Sequence, residues 1–258
     1  MTGDTPHSAR IADGRDATPR RMLPGVIAVI GCDGSGKSTL TADLFAHFRK
    51  QRATRLEYLG QDSGNILRAI LRVPLAGPLV GRYLVRKSKR AHAEGDKSAE
   101  PDISTAVVVY LLSRWRRRKF HRMLTHQRQG TTIITDRYPQ AEATGFYFDG
   151  PGLAVTAQSS GLLRWLAARE ARLYADMAAH VPALLIRLNI DAETAHARKP
   201  DHKLAMLRDK TRVIPTLTFN GAPILDLDAT APYADVLRAA IAAAESALAP
   251  ETSSSSMK

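Results

Sequence analysis

Apolar residues gather in five short runs, separated by longer stretches that have a helical repeat. The runs cover residues 26–30, 54–59, 131–135, 183–190 and 223–228, and most are rich in Val, Ile and Leu. Runs of this length are typical of buried parallel strands. Between them, large apolar residues recur at intervals of three and four, which predicts amphipathic helices. This alternation of strands and helices predicts an α/β fold with a parallel sheet.

The same pattern divides the chain into a folded region and two polar ends. Residues 1–23 and 250–258 are polar and lack any repeat, so we expect a disordered leader and a flexible tail. Residues 24–249 then form one domain, a size that can bury a single core. Within it, residues 66–102 contain Pro and Gly and many Lys and Arg, which predicts a basic insertion.

Charge limits the kinds of partner that the chain can bind. Its 258 residues carry a formal net charge of +12, with a pI of about 10.1. This balance favours anionic partners, which include phosphorylated small molecules, nucleic acid and anionic membrane surfaces. The single cysteine excludes an internal disulfide, and no apolar run approaches the roughly 20 residues of a membrane span. We therefore expect a cytoplasmic protein without a transmembrane segment.

Candidate chemistry concentrates in the segment after the first predicted strand. Residues 31–39 have the sequence Gly-Cys-Asp-Gly-Ser-Gly-Lys-Ser-Thr, which matches the phosphate-loop pattern G-x-x-x-x-G-K-[ST]. A glycine loop between a strand and a helix directs backbone N–H groups at an anion. We therefore predict an ATP site with Mg²⁺, in which Lys37 contacts the phosphates and Ser38 binds the metal ion. The predicted nucleotide-binding residues of the loop are Gly31, Asp33, Gly34, Ser35, Gly36, Lys37, Ser38 and Thr39.

Asp136 and Arg137 follow the third predicted strand. The carboxyl ends of parallel strands line the ligand site of an open α/β sheet, so we predict that Asp136 holds Mg²⁺ together with Ser38. Arg137 can bind a phosphate with two parallel N–H groups, or Asp136 and Arg137 can pair with each other. The predicted helix before this strand carries seven Arg and Lys residues and no acidic residue, and we expect Arg114 or Arg116 to reach a bound phosphate.

A second group of cations follows the fourth predicted strand. Residues 198–214 begin with Arg198, and Pro200 interrupts the helix there, which predicts a hinged lid over the triphosphate. A pair of solvated helices is the alternative. Asp228 ends the fifth predicted strand and precedes a loop that we expect to border the adenine, so it completes the predicted nucleotide-binding residues together with Arg198.

Together these motifs resemble the thymidylate kinase-like branch of the nucleoside monophosphate kinases. The matching positions are the Asp33-Gly34 pair of the phosphate loop, the Asp136-Arg137-Tyr138 triplet and Arg198 at the start of the lid. The resemblance implies a P-loop NTPase three-layer sandwich, in which a five-stranded parallel sheet of order 2-3-1-4-5 has helices on both faces.

The resemblance also implies which residues are catalytic. These are Lys37, Asp33, Arg137, Arg198 and Asp136. Asp33 would contact the sugar hydroxyl of the acceptor, and Arg137 would bind the acceptor phosphate. Arg198 would stabilise the transferred phosphoryl group. The implied activity is transfer of the γ-phosphoryl group of ATP to a nucleoside monophosphate, with dTMP as the first candidate.

Differences from the family pattern lie on the acceptor side. Residues 60–64 are Gly-Gln-Asp-Ser-Gly where the family has an Arg-Glu-Pro-Gly-type loop, and Trp115 stands where the helix arginine is expected. A P-loop kinase for another acceptor, such as a carbohydrate, a lipid-linked compound or an unusual nucleotide, is therefore the alternative. For a hydroxyl acceptor, Asp33 or Asp136 would accept the proton.

A third interpretation is a nucleic-acid-associated ATPase, which the charge of +12 and the arginine-rich helix support. Aromatic residues make up only 6% of the chain and do not alternate with the basic residues as stacking platforms do. Nucleic acid is therefore not the favoured partner. A homodimer formed through the helix that carries Trp115 stays open.

Overall fold

The computed structural model describes residues 20–60 and 101–249. Its five strands are β1 (Arg21–Gly31), β2 (Thr54–Tyr58), β3 (Thr132–Asp136), β4 (His180–Asn189) and β5 (Ile224–Asp228). All neighbouring strands are parallel, and their order is β2-β3-β1-β4-β5, which confirms the predicted order 2-3-1-4-5. The predicted leader up to residue 19, the predicted insertion up to residue 100 and the predicted tail lie outside the described residues.

Helices surround this sheet. Within the described ranges they are α1 (Lys37–Phe48), α2 (Ile103–Arg128), α3 (Gly161–Ala178), α4 (Ala192–Arg198), α5 (Leu204–Val213) and α6 (Tyr233–Leu248). One face of the sheet packs against α2 and α3 through residues such as Phe120 and Met177, and the other packs against α1 and α6 through Phe48 and Val236. The predicted three-layer architecture of P-loop NTPases is therefore confirmed. None of these helices is long and apolar enough to cross a bilayer.

Burial and pairing define the strand ends that carry the site. Residues 26–30 of β1 are buried on both faces, as expected for a central parallel strand. β1 begins at Arg21, before the domain start predicted at residue 24, because Arg21–Leu23 pair with residues 180–182 of β4. β3 ends with Asp136, which is in register with Val29 of β1. The acidic side chain at the end of β3 therefore lies at the same sheet edge as the glycine loop.

The buried faces of α2 and α3 differ from the predicted apolar stripes. Leu111 and Leu162, which belong to the apolar repeats of these helices, are exposed, whereas Arg116 of α2 and Glu170 of α3 are fully buried. In α3, Leu166 and Met177 are buried, and Leu163 is buried in place of Leu162. Two polar side chains occupy core positions because each has buried hydrogen-bond partners, which a count of apolar residues cannot detect.

Candidate functional site

The glycine loop joins β1 to α1 at the carboxyl edge of the sheet. Gly34 and Gly36 have φ values of 87° and 88°, a region that favours glycine. A Cβ atom on Gly34 would lie 2.6 Å from the carbonyl oxygen of Ala195, so α4 packs directly against the loop. Gly36 is the N-cap of α1 and makes no side-chain capping bond. The loop therefore presents backbone N–H groups and the positive end of α1 to an anion.

Lys37 is the first residue of α1 and is buried. Its Nζ donates a hydrogen bond of 2.6 Å to the carbonyl oxygen of Cys32 and lies 4.0 Å from a carboxylate oxygen of Asp33. Burial, and after it the positive charge of Arg137, lowers the pKa of Lys37 to about 8. Negative charge placed on the loop would favour the protonated form, so this lysine is suited to binding a polyanion.

Ser38 and Asp136 come from α1 and β3 and meet beside the loop. The Ser38 hydroxyl donates a hydrogen bond of 2.9 Å to Oδ2 of Asp136. The other carboxylate oxygen, Oδ1, is buried and has no hydrogen-bond partner among the described residues, and the same is true of the Ser35 hydroxyl. An unpaired buried carboxylate oxygen beside a hydroxyl suits Mg²⁺, which binds one or two protein oxygens together with substrate phosphates.

The predicted metal residues Ser38 and Asp136 are thus brought together by the fold. In residues 20–60 and 101–249, no group of three His, Cys, Asp or Glu side chains forms a metal site made entirely of protein ligands. A magnesium ion at Ser38 and Asp136 would therefore take its remaining ligands from phosphates and water.

A cavity of about 320 Å³ opens beside the loop, between α1, α4 and the connection from β5 to α6. Its walls include Ser35, Thr39, Leu188, Arg198, Ala229 and Tyr233. Arg198 donates hydrogen bonds to the carbonyl oxygens of Gly34, at 3.4 Å, and Ala229, at 3.0 Å. The loop predicted to border the adenine therefore contributes Ala229 to the wall, whereas the sequence patterns did not indicate Tyr233.

Asp228, which we predicted to bind the nucleotide, is exposed at the end of β5. Its carboxylate accepts hydrogen bonds from the hydroxyl and the N–H group of Thr230, at 2.6 and 2.8 Å. These bonds lower the pKa of Asp228. In the structure, Asp228 stabilises the turn that leads to the cavity.

Five charged side chains next to Lys37 form what we call the Asp33 cluster: Asp33, Arg116, Arg137, Asp149 and Lys210. Asp33 accepts hydrogen bonds from Arg137 Nη2, at 3.0 Å, and from the ammonium group of Lys210. Burial alone would raise the pKa of Asp33, but the charges of Lys210 and Lys37 hold it well below its usual range. Lys210, from α5, is itself buried, so the cluster joins α5 to the glycine loop.

Asp149 lies between the two arginines of the cluster. Arg116 Nη2 donates to Oδ1 of Asp149 at 3.0 Å, and Arg116 Nη1 donates to its carbonyl oxygen at 3.2 Å. Arg137 Nη1 lies 3.4 Å from the second carboxylate oxygen, Oδ2. The charge of Asp149 raises the pKa of Arg137. Arg137 therefore pairs with Asp33 and Asp149, while Asp136 binds Ser38.

Glu170 anchors the loop that carries Asp149. Its buried carboxylate accepts hydrogen bonds from the Ser113 hydroxyl, at 2.6 Å, and from the N–H groups of Gly152 and Leu153, at 3.0 and 2.8 Å. Burial nevertheless raises the pKa of Glu170. The sequence signal for this anchor is one acidic residue at a core position of the apolar repeat of α3.

The sequence patterns also missed the partners of Asp33 and of the arginines. Lys210 belongs to the predicted lid cations, but nothing local indicated its bond to Asp33. Asp149 lies in a glycine- and aromatic-rich loop, and an acidic residue before a glycine is its only signal. Of the two helix arginines considered for phosphate binding, Arg116 joins the cluster and Arg114 is exposed.

Comparison with known proteins adds two relatives. No protein-family model matches the chain. The uncharacterized ATP-binding protein YghS of Escherichia coli strain K12 is 51% identical over 233 residues, which are 90% of this chain and 96% of YghS. The uncharacterized ATP-binding protein YghR of the same strain is 44% identical over 218 residues, which are 84% of this chain and 86% of YghR.

Proposed function

Because the chain belongs to the family of ATP-binding proteins that includes YghS and YghR, we propose that it binds ATP with Mg²⁺ and transfers the γ-phosphoryl group to a small-molecule acceptor. The observation that carries this proposal is the position of Lys37, which lies between the Ser38–Asp136 pair and the Asp33 cluster. It lies in the glycine loop next to Ser38, which binds Asp136, and its Nζ is also 4.0 Å from Asp33. A phosphoryl group bound by Lys37 would therefore be close to an acceptor bound at the Asp33 cluster.

The first of these sites is the donor side, by which we mean the glycine loop without Asp33 (residues 31–32 and 34–38), Asp136 and the cavity walled by Arg198 and Ala229. The loop amides and Lys37 would bind the β- and γ-phosphates, and the cavity would receive the adenine. Ser38 and Asp136 would hold Mg²⁺, which when bound neutralises charge on the phosphate oxygens. Lys37 and Arg198 would stabilise charge on the transferred group.

Residues 198–214 would act as the lid. This segment starts at Arg198, which donates to a loop carbonyl, and it contains Lys210, which binds Asp33. Both contacts join the segment to the glycine loop, so its movement would be coupled to nucleotide binding. Closure would exclude water from the transferred phosphoryl group.

The resemblance to thymidylate kinases makes dTMP the first acceptor to test. Its phosphate would bind Arg137, and a phosphate oxygen would be the nucleophile, so no general base would be needed. A hydroxyl acceptor is the second candidate, because Arg116 and Arg137 already bind Asp149. In that reaction the hydroxyl oxygen bonds to the γ-phosphorus, the bond to the β-phosphate oxygen breaks to leave ADP, and the hydroxyl proton is released to water. Asp33, whose pKa lies well below its usual range, would orient the hydroxyl by accepting its hydrogen bond.

ADP release, measured with a panel of monophosphates, nucleosides and sugars, tests the proposal. The wild-type chain should release ADP only with a matching acceptor, and Lys37→Ala should abolish the release. Lys50→Ala removes an exposed lysine just beyond α1 and is the matched control. Release of phosphate without transfer, stimulated by DNA or RNA, would contradict the kinase proposal and support a nucleic-acid-associated ATPase.

A further inference from the structure

We propose that Asp149 determines the class of acceptor, because its carboxylate occupies the position between Arg116 and Arg137 that an acceptor phosphate would need. The site then takes a neutral hydroxyl compound, such as a nucleoside or a sugar, in place of a monophosphate. This inference rests on the proposed phosphotransfer, and it deepens it by naming the substrate class.

The first step is that groups of the protein itself bind the terminal nitrogens of both arginines. Both terminal nitrogens of Arg116 donate to Asp149, one to its carboxylate and one to its carbonyl oxygen. The terminal nitrogens of Arg137 are divided between Asp149 and Asp33. The side chain of Arg116 is only 1% exposed, so a ligand cannot reach its guanidinium group unless Asp149 moves.

The second step is the anchoring of Asp149 on both sides. The N–H group of Gln140 donates to the carbonyl oxygen of Asp149, and the amide group of the Gln140 side chain donates to the carbonyl oxygen of Phe148 at 3.0 Å. On the other side, Glu170 accepts from the N–H groups of Gly152 and Leu153. These bonds fix the backbone on both sides of Asp149, so its carboxylate can leave the arginines only by rotation of its own side chain. That rotation would break its ionic contacts with Arg116 and Arg137.

The third step concerns charge. A phosphate monoester carries about −1.5 to −2 charges at neutral pH. At this position it would face two carboxylates, Asp33 and Asp149, which already neutralise two of the three cations of the cluster and leave a single positive charge for the phosphate. A neutral hydroxyl avoids this repulsion and can donate a hydrogen bond to Asp33, whose carboxylate is held in the charged form by Lys210 and Lys37.

Binding measurements test this without requiring turnover. The probes are inorganic phosphate and dTMP, titrated with a non-hydrolysable ATP analogue and Mg²⁺ present. Asp149→Asn removes the charge, and Asp149→Gly removes the whole side chain. Both replacements tolerate the φ value of 62° found at this residue. Asp176→Asn, which removes a half-exposed carboxylate paired with Arg117, is the matched control.

We expect both Asp149 variants to bind phosphate and dTMP at least tenfold more tightly than the wild-type chain, and Asp176→Asn to show no gain. Unchanged or weaker binding in Asp149→Asn would overturn the inference. Wild-type protein supplies a second arm that does not depend on folding of the variants: dTMP should bind no more tightly than thymidine, and a tenfold preference for dTMP would overturn the inference.

Failure of the proposed function has a different signature. If the chain is not a kinase, no acceptor in the panel releases ADP, whatever the affinities for phosphate. If only the inference is wrong, ADP release persists with a phosphorylated acceptor, and removal of the Asp149 carboxylate does not improve phosphate binding.

Discussion

The donor side and the Asp33 cluster are neighbours, but they differ in how far their polar groups are paired within the protein. On the donor side, the hydroxyl of Ser35 and one oxygen of Asp136 have no hydrogen-bond partner among the described residues, and a cavity of about 320 Å³ opens beside them. In the Asp33 cluster, both carboxylates bind cationic side chains at the same edge of the sheet.

This difference suits the donor side to binding a polyanion and the Asp33 cluster to binding a different kind of ligand. The donor side combines a positive helix end, a buried lysine and unpaired oxygens, so an incoming triphosphate with its metal ion adds the missing partners. The cluster already contains counter-charges for its arginines. In the proposed reaction, an anionic acceptor would compete there with the protein's own carboxylates, so the site would favour an acceptor without a phosphate.

Loss of Lys37 should have the largest effect on this arrangement. We expect Lys37→Ala to lower turnover by about 10³-fold, because in the proposed reaction the lysine would bind the phosphates of ATP beside the acceptor. Initial rates of ADP release with a working acceptor measure the change, with Lys50→Ala as the control. Turnover within tenfold of wild type would show that the two sites do not meet at Lys37.

Removal of Asp136 should affect the donor side alone. Asp136→Ala should weaken Mg²⁺-dependent nucleotide binding by about 10²-fold, because Ser38 would be left as the protein ligand of the metal ion. Titration of Mg²⁺ at fixed nucleotide, followed by calorimetry, measures the shift. Asp235→Asn, which removes an exposed carboxylate paired with Arg238, serves as the control. An unchanged magnesium requirement would show that Asp136 does not bind the metal ion.

Glu170 tests how firmly the acceptor loop is held. Glu170→Gln replaces an acceptor oxygen with an N–H₂ group, and we expect the free energy of unfolding to fall by about 1–3 kcal/mol because buried N–H groups of the loop lose their acceptor. Urea denaturation gives the value. Glu245→Gln, at an exposed carboxylate that contacts His47, should change it little. Equal stability of the two variants would mean that the loop does not depend on Glu170.

The smallest expected effect is a pH dependence of nucleotide binding. The pKa of Lys37 is about 8, and a bound triphosphate raises it, so binding takes up a proton when the pH exceeds 8. The Kd should therefore rise by about tenfold per pH unit above that value, and Lys37 should add no pH dependence well below it. Fluorescence titration at fixed Mg²⁺ measures this slope, which Lys37→Ala should lack. A constant Kd from neutral pH to well above 8 would contradict the assignment.

The geometry of the glycine loop and its position beside Asp136 could be predicted because their determinants are local. A contiguous pattern over residues 31–39 specifies the loop, and an acidic residue after a buried strand lies at the correct edge once the sheet is parallel. The order of the strands followed from the same motifs through their resemblance to a known family. The proximity of Asp136 and Ser38 could therefore be predicted without knowing how the helices pack.

The Asp33 cluster could not be predicted because its contacts join distant segments through helix packing. Arg116 was one of several arginines in α2, and only the rotation of that helix buries it beside Asp149. Glutamate is a residue type that usually lies at the surface, but Glu170 occupies a core position. At Arg116 and at Glu170, hydrogen bonds to residues distant in sequence therefore decide burial, and the apolar pattern of the helix does not.

The contact between Asp33 and Lys210 spans 177 residues of sequence. During synthesis the glycine loop emerges early, whereas Lys210 follows only after four of the five strands, so Asp33 lacks this counter-charge until most of the domain has left the ribosome. The phosphate loop therefore cannot acquire its final electrostatic environment before α5 has been synthesised.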